Sequence, residues 1–270
     1  MSLSPCQQTL GPILEKLTQT ASPSRISLWQ QCRLRFYFRH VLKLEKPRTS
    51  SLHLGSSVHE TLRQWNRARW RGEPLSLKQL HEAFTLAWNT EHERVDWEDT
   101  AQDTSEKATG WRILETYLRE TPIPQEEKPL AVEVSVEADL ERHGLPRLVG
   151  ILDLVRGDGT IVDFKTSSQT PIAERVAHQH ETQTTCYSLL YRSATGAKEK
   201  GFELHHLVKL KNPKLVVTSL PQIADSQKER LFRILESYLE GMARRDFVPS
   251  PGMQCTGCEF FNECRLWQGS

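Results

Sequence analysis

The sequence contains no long hydrophobic stretch and no segment that resembles an export signal. Its apolar runs all fall short of the roughly 20 residues that cross a bilayer. The first six residues, Met-Ser-Leu-Ser-Pro-Cys, show no basic segment followed by an apolar one, which a secretory signal requires. These absences predict a soluble, cytoplasmic protein that has no membrane partner.

The chain also lacks the excess of basic residues with which some proteins bind nucleic acid through overall charge. It has 270 residues, with 35 Lys and Arg against 34 Asp and Glu, and a formal net charge of +1. Any nucleic-acid binding must therefore come from a local patch. Internal repeats and low-complexity linkers are absent too, so we predict one domain over residues 24–270, preceded by an N-terminal extension over residues 1–23.

Cysteine is scarce, with six residues in the chain, and its spacing is informative. In a cytoplasmic protein such thiols are more often ligands or buried side chains than disulfides. Cys255, Cys258 and Cys264 form a Cys-x-x-Cys-x5-Cys pattern that suits one metal ion or cluster. Cys32 is our candidate for the fourth ligand. Cys186 is excluded, because it lies on a predicted helix that carries other candidate site residues. Such a site would clip the two ends of the chain together, and four thiolates suit iron and zinc alike.

Charged residues interrupt the apolar strands predicted within residues 150–168. Two β-branched runs flank a Gly-Asp-Gly sequence at residues 157–159, a pattern that predicts a hairpin of two buried strands. Asp153 interrupts the first run, and Asp163 and Lys165 interrupt the second. Because an unpaired buried charge is costly, three such residues together indicate a functional site.

The register of this hairpin decides whether the two carboxylates meet. Asp163 and Lys165 share one face, because side chains alternate along a strand. A two-residue turn at residues 158–159 would place Asp153 and Asp163 on opposite faces. A three-residue loop with a glycine in the left-handed region would place them directly opposite each other, beside Lys165. We predict the second register.

Two carboxylates and a lysine at the end of a hairpin are suited to metal-dependent phosphodiester hydrolysis. Carboxylate oxygens hold a hard divalent cation such as Mg²⁺ or Mn²⁺. The ammonium group of Lys165 could then orient or deprotonate a water. An acid and a lysine two residues apart also occur on ordinary solvated strand faces, so the triplet alone is a weak signal.

A dense basic patch lies on a helix predicted within residues 24–44, beginning at residue 26 or 27. Arg33, Arg35 and Arg39 alternate there with aromatic residues, an arrangement that suits contacts with the phosphates of nucleic acid. The alternative is the solvated basic face of an ordinary amphipathic helix.

The rest of the chain predicts further helices around a group of strands. We expect helices over residues 13–17, 55–71, 76–95, 104–119, 171–194 and 222–244, and strands over residues 131–140, 202–210 and 215–220. Gln183 and Tyr187 lie four residues apart and so share one stripe of their helix. His59 could be a ligand, although a histidine beside a buried helix face is more often structural. Glu133 either points towards Asp153 or lies on an exposed strand face.

Taken together, these motifs resemble the PD-(D/E)XK nuclease superfamily. Asp153 matches its first aspartate, and residues 163–165, Asp-Phe-Lys, match its D/E-x-K triplet. The early cysteine, the nuclease core and the C-terminal cysteine pattern are similar to RecB-type nucleases with an iron-sulfur clasp. That group includes the nuclease domains of the AddAB helicase-nuclease and the CRISPR-associated RecB-like exonucleases. The resemblance extends from Ser24 to Cys264.

The resemblance implies an α/β fold of the restriction-endonuclease type, with a central mixed sheet of roughly five strands flanked by helices. An N-terminal helical region would be tied to the C-terminus by a 4Fe-4S cluster, with zinc as the alternative. The cluster ligands would be Cys32, Cys255, Cys258 and Cys264. The ligands of Mg²⁺ or Mn²⁺ would be His59, Asp153, Asp163 and the carbonyl of Phe164. The catalytic residues would be Lys165 and Glu133, supported by Gln183 and Tyr187.

The implied activity is that of a DNA exonuclease acting on DNA with single-stranded ends, in repair, recombination or defence. A helicase or repair protein would be its partner, although no helicase motif accompanies the nuclease motifs in this chain. Two alternatives stay open: a catalytically silent DNA-binding or scaffold module, and an adaptor protein with a zinc site. Digestion polarity, DNA against RNA, exonuclease against endonuclease and oligomeric state stay open as well.

Overall fold

A computed structural model describes the backbone of residues 5–269 and the side chains of residues 11–269. It contains both helices and strands. The helices are α1 (Pro5–Gln19), α2 (Pro23–Gln31), α3 (Arg33–Phe36), α4 (Ser50–Arg71), α5 (Leu77–Asn89), α6 (Thr100–Glu120), α7 (Ala173–Gln179), α8 (Glu181–Thr195), α9 (Asp225–Arg244) and α10 (Phe261–Leu266). The strands are β1 (Thr20–Ala21), β2 (Arg48–Thr49), β3 (Val95–Asp96), β4 (Ala131–Ala138), β5 (Arg147–Val155), β6 (Thr160–Ser167), β7 (Gly201–Val208) and β8 (Lys214–Leu220). Within this part of the chain, every helix is too short or too polar to cross a membrane.

A six-stranded mixed sheet forms the centre of the fold. Its strands follow the order β1-β5-β6-β7-β8, and β4 pairs with β5 as well. The β1–β5 and β6–β7 pairs are parallel, and the others are antiparallel. Helices α7 and α8 make the crossover between the parallel strands β6 and β7, as such a connection requires. The predicted α/β fold with a central mixed sheet flanked by helices is confirmed.

Strand β5 lacks a partner along the middle of one edge. Strand β4 pairs with its other edge from Leu148 to Val155. On the open edge, β1 pairs only as far as Leu148, and β6 pairs only from Leu154. Residues 149–153 are therefore left without a neighbouring strand on that side, and the sheet opens there.

Apolar side chains pack on both faces of the sheet and form two main cores. One core joins the sheet to α8 and α9 through residues such as Leu190 and Leu235. The other joins it to α4, α5 and α6 through residues such as Trp88. A smaller cluster packs Leu14 and Leu17 against α9, so the residues predicted to be an N-terminal extension contact the rest of the protein. The helices thereby hold both faces of the sheet in place around the open edge of β5.

The predicted hairpin register is confirmed. Leu154 pairs with Val162, and this offset, continued by one residue, sets Asp153 opposite Asp163. The loop consists of residues 157–159, closed by a 2.9 Å hydrogen bond from the Arg156 amide to the Thr160 carbonyl. Gly159 has a φ of +87°, the left-handed conformation on which the prediction depended. Loop length therefore places the two carboxylates on the same face.

Several helix boundaries differ from the prediction, and two helix starts differ because capping residues were not recognised. The basic helix begins at Pro23, not at residue 26 or 27, because Ser22 is its N-cap. It also ends at Gln31, since Cys32 is extended with φ −164° and ψ 112°. The next helix begins at Ser50 instead of residue 55, with Thr49 as its N-cap. The helix predicted to begin at residue 26 or 27 is therefore wrong in its start, and Cys32 divides the stretch into α2 and α3.

The long helix predicted over residues 171–194 is also wrong, because it is divided into α7 and α8. His180 separates them with φ −103° and ψ 5°, values that lie outside the helical region. The break lets α8 point its N-terminal half at the candidate site while α7 lies beside the end of β6. Gln183 and Tyr187 both lie on α8, as predicted.

Candidate active site

A cleft of about 730 Å³ opens at the unpaired edge of β5. Its lining includes six of the predicted site residues: His59, Glu133, Asp153, Lys165, Gln183 and Tyr187. They come from α4, β4, β5, β6 and α8, so the fold assembles the site from segments that are distant in sequence. The missing strand partner leaves room for this cleft beside Asp153.

His59, Glu133 and Asp153 form a cluster of donors that could hold a metal ion. Each offers one ligand atom, and these atoms all lie within 4.8 Å of one another. The Nδ1 atom of His59 lies 3.6 Å from Oδ2 of Asp153. The backbone amide of Phe164 donates a 3.1 Å hydrogen bond to the same oxygen and so orients the Asp153 carboxylate. One imidazole and two carboxylates are suitable ligands for Mn²⁺ or Mg²⁺.

Glu133 reaches this cluster through an unusual backbone conformation. The pairing of β4 with β5 sets residue 133 opposite Asp153. Glu133 has a φ of +48°, in the left-handed region that side chains with a Cβ rarely adopt. Residues held in this conformation concentrate at functional sites. The sequence contains no signal for this distortion, since neither glycine nor asparagine occupies the position.

Asp163 lies deeper than the donor cluster and is held by three side chains. Only 3% of its surface is exposed. Its Oδ1 atom accepts a 2.8 Å hydrogen bond from Gln183 and a longer one, 3.4 Å, from the Tyr187 hydroxyl. Its Oδ2 atom lies 2.7 Å from Nζ of Lys165 but is buried without a hydrogen bond of good geometry. The structure therefore places Asp163 outside the donor cluster and beside Lys165, although it was predicted as a metal ligand.

Burial and mutual repulsion shape the titration of the donor cluster. Burial, followed by the charge of Asp163, raises the pKa of Asp153 well above its usual range. Burial likewise raises the pKa of Glu133 and lowers that of His59. Each shift disfavours a charged side chain where no cation is bound. A bound divalent ion would favour the ionised carboxylates instead. The pKa shifts are therefore consistent with a cation site at these donors.

The carbonyl of Phe164 faces the His59 ring, which hydrogen-bonds to it. It therefore lies at the edge of the donor cluster, where it was predicted as a further ligand. The aromatic ring of Phe164 packs in the core with Tyr117 and also lies edge-on to the His59 ring, 6.1 Å between ring centres. One residue thus serves both the site and the core.

The structure places the three predicted nucleic-acid-binding arginines away from this cleft. Arg33 pairs with Asp246, and Arg35 and Arg39 both pair with Glu259. These ion pairs attach the C-terminal segment to α3 and the π-helical turn Tyr37–Val41 that follows it. Contact with nucleic acid by these arginines stays a prediction.

A different set of arginines lines a second cleft, of about 980 Å³, that shares His59, Glu133 and Lys165 with the first. Arg63 and Arg67 follow His59 at intervals of four residues and so lie on one stripe of α4. They were not among the predicted site residues, although the sequence shows their spacing from the candidate ligand His59.

The four predicted cluster cysteines converge on a pocket that is separate from the cleft. Cys32, Cys255, Cys258 and Cys264 line one small pocket, together with the buried side chains of Leu34, Phe38 and Phe260. The sulfur of Cys32 accepts a 3.5 Å hydrogen bond from the Arg35 amide. Burial, followed by the charge of Cys32, raises the pKa of the Cys264 thiol. Cys186, which we excluded, is fully buried in the core.

These cysteine sulfurs are too far apart to surround one small ion as placed. Within the described side chains, no three of them lie within 4.8 Å of one another. Four thiolates on one tetrahedral zinc ion, with bonds of about 2.3 Å, would lie about 3.8 Å apart.

The cleft, the acidic residues and the mixed sheet define the class of protein. Residues 20–265 match the family described as the PD-(D/E)XK nuclease superfamily, and the chain belongs to it. Its fold is similar to the crystal structure of a candidate exonuclease from Eubacterium rectale, with a TM-score of 0.61 and 13% sequence identity. That match covers 100% of this chain and 95% of the other.

A second crystal structure, that of SSO0001, matches with a TM-score of 0.43 and 13% identity over 95% of this chain and 94% of the other. No curated protein matches the sequence significantly. The family match therefore establishes the nuclease superfamily and its fold, and the geometry of this chain must carry the argument on individual residues.

Proposed function

We propose that the protein is a cytoplasmic, Mg²⁺- or Mn²⁺-dependent deoxyribonuclease that digests DNA from single-stranded ends. The observation that carries this proposal is the donor cluster of His59, Glu133 and Asp153, within 4.8 Å of one another beside Lys165. Membership of a nuclease superfamily supports phosphodiester hydrolysis. The name of the Eubacterium rectale protein supports exonuclease action, and the free cysteines support a reducing compartment.

Each residue of the cleft has a distinct part in this mechanism. His59, Glu133 and Asp153 would bind the cation, with Asp163 and the Phe164 carbonyl as further ligands. The bound cation would polarise the scissile phosphate and lower the pKa of an attacking water.

The second group of residues acts on the nucleophile and its surroundings. Gln183 and Tyr187 hold the Asp163 carboxylate in position through their hydrogen bonds. Lys165, whose Nζ lies 2.7 Å from that carboxylate, would orient the water and accept or return its proton.

The basic stripe on α4 supports a nucleic-acid substrate. Arg67 makes no hydrogen bond or ion pair with the described residues, although it lines the cleft of about 980 Å³ that begins at the donor cluster. Arg63 lies one turn closer and pairs with Glu60. Because the helix rises about 1.5 Å per residue, the stripe would lead a strand about 12 Å away from His59. Phosphates of a single strand could follow it.

We propose in addition that the four cysteines hold a 4Fe-4S cluster with a structural role. The convergence of the four cysteines on one pocket supports a shared metal centre, and the resemblance of their spacing in the sequence to that of iron-sulfur nucleases supports iron. The cysteine pocket lies between α3 and the C-terminal segment, and the ion pairs of Glu259 join the same two regions. This position supports a structural role in which the cluster holds the two regions together. Iron and sulfide content after purification without air tests this: a colourless protein that contains zinc would contradict it.

The activity is tested with end-labelled single-stranded and duplex DNA, a closed circle as control, and Mg²⁺ or Mn²⁺ against a chelator. We expect metal-dependent loss of linear DNA while the circle survives. Lys165→Ala and Asp163→Asn should abolish cleavage while the protein still folds. Cleavage of the circle would indicate an endonuclease, and binding without cleavage would favour the catalytically silent module. Repair, recombination or defence is the expected process, with a helicase or repair protein as partner.

A further inference from the structure

A third pocket, of about 330 Å³, adjoins the candidate active site through Lys165. It lies where the parallel strands β6 and β7 end, at the carboxyl edge of the sheet at which α/β proteins often bind ligands. Its lining is basic and polar and includes no carboxylate: besides Lys165 it has Arg175, His180, His206, Thr166 and Ser167. Such a set of donors without an acid suits an anion.

His206 is the most telling residue of this pocket. It pairs with Lys165 in the parallel β6–β7 ladder, so both side chains point to the same face of the sheet. Only 5% of its surface is exposed, and its buried Nδ1 atom has no hydrogen-bond partner. Unpaired buried polar atoms are rare in folded proteins, and this one belongs to a residue that lines the pocket. The ring of His180 lies 5.9 Å from that of His206 and extends the same polar wall.

Arg175 supplies a positive charge that the fold does not use. It lies exposed on α7, and its side chain makes no hydrogen bond or ion pair with the described residues. Burial lowers the pKa of both His180 and His206, so their rings are neutral near pH 7 and each can donate one N–H. A charged guanidinium beside hydroxyl, amide and imidazole donors is a common arrangement around a phosphate.

We propose that this pocket binds the phosphate that neighbours the scissile one, with Arg175 and His206 as its main contacts. The proposal rests on the nuclease function proposed above, because Lys165 is then shared between two successive phosphates. A strand whose scissile phosphate lies at the donor cluster would place its next phosphate, or the terminal phosphate of the leaving nucleotide, beside Arg175. The pocket would thus position the strand without taking part in the chemistry.

The test pairs a protein variant with a modified strand. Short single-stranded oligonucleotides each carry one neutral methylphosphonate linkage, moved through every position, and dissociation constants are measured with a chelator present so that no cleavage occurs. The proteins are the full chain, Arg175→Ala, and the matched control Arg119→Ala. The Arg119 side chain is 67% exposed and pairs only with its neighbour Glu120. His206→Asn is a second variant of the pocket.

We expect Arg175→Ala to weaken binding of the unmodified strand about tenfold or more, as loss of a charged hydrogen bond to phosphate does. At one position, the methylphosphonate should weaken binding by the full protein about as much as Arg175→Ala weakens binding of the unmodified strand. The same methylphosphonate should not weaken binding by Arg175→Ala further, because that variant has already lost the contact between Arg175 and the phosphate. Arg119→Ala should bind like the full protein. His206→Asn should show a smaller version of the same pattern.

Two results would overturn the proposal. One is tight binding by Arg175→Ala; the other is an equal loss at every methylphosphonate position in both proteins. Because no step requires cleavage, failure of the nuclease function is recognised separately. A full protein that never cuts DNA with Mg²⁺ or Mn²⁺ would refute the nuclease, whatever the methylphosphonate scan shows for the pocket.

Discussion

Glu133 stands in the middle of β4 with a φ of +48°, and this conformation can be tested by its effect on stability. For a residue with a Cβ the left-handed region costs about 1–2 kcal/mol, a penalty that glycine escapes. Glycine also has a more flexible unfolded chain, which costs roughly 0.5–1 kcal/mol relative to alanine in an ordinary strand. At position 133 the first effect exceeds the second, so Glu133→Gly should be more stable than Glu133→Ala.

Ser135 provides the matched control on the same strand. It is exposed, lies two residues from Glu133, and has no positive φ. There Ser135→Gly should be less stable than Ser135→Ala by about 0.5–1 kcal/mol. The glycine-minus-alanine difference in the free energy of unfolding is taken at position 133 and at position 135. Subtracting the second difference from the first removes the effect of chain flexibility in the unfolded state and leaves the cost of the left-handed conformation, about 1–2 kcal/mol.

The assay is urea unfolding of the four variants with a chelator, so that loss of metal binding does not contribute. Midpoints are compared at equal slopes, because a change in slope would mean a different unfolded state. Both variants of Glu133 should lose nuclease activity. If glycine is less stable than alanine by the same amount at both positions, Glu133 does not hold a strained backbone, and the explanation of how it reaches the site is wrong.

Three further predictions concern the cleft. Without metal, Asp153→Asn should have a higher melting temperature than the natural protein once the pH rises above about 4, because a carboxyl group whose pKa is raised on folding opposes folding when it is ionised. Asp153→Asn should also lose the rise in melting temperature that Mg²⁺ gives the natural protein. Equal shifts with Mg²⁺ in both proteins would contradict the assignment of Asp153 as a ligand. Arg67→Ala should weaken DNA binding similarly for all sequences and reduce the slope of log affinity against log salt by about 1; Arg119→Ala should not. Gln183→Ala removes the 2.8 Å hydrogen bond to Asp163, so kcat should fall about tenfold with KM nearly unchanged, and a change in KM alone would indicate a substrate contact instead.

The parts of the site that could be predicted are those set by local rules. The hairpin register followed from the length of the loop at residues 157–159 and from glycine chemistry, and it brought Asp153 opposite Asp163. Gln183 and Tyr187 share a stripe because a helix repeats every 3.6 residues. Such inferences need no knowledge of distant contacts. These local rules predict which side chains can lie close together, but they do not predict the residues that surround them.

The parts that could not be predicted depend on partners far away in the chain. Arg35 and Arg39 form a basic patch in the sequence, yet Glu259, more than 200 residues later, pairs with both. Helix starts were wrong for a more local reason, because Ser22 and Thr49 lie outside the apolar pattern that marks the helices they cap. An apolar pattern identifies the buried face of a helix better than its first residue.

The cleft lies between a broken ladder on one edge of β5 and a strained residue on the other. A fully paired strand would bury residues 149–153 beneath a neighbour, so β1 and β6 must stop short on either side. With β4 paired along the other edge, a regular backbone at residue 133 would direct its side chain according to the normal alternation of the strand. Residue 133 lies opposite Asp153 in that ladder, and the left-handed conformation of Glu133 departs from the regular backbone beside the donor cluster. Repulsion between the two carboxylates opposes this arrangement; the charges of Arg63 and Lys165 partly offset it, and a bound cation would offset it further.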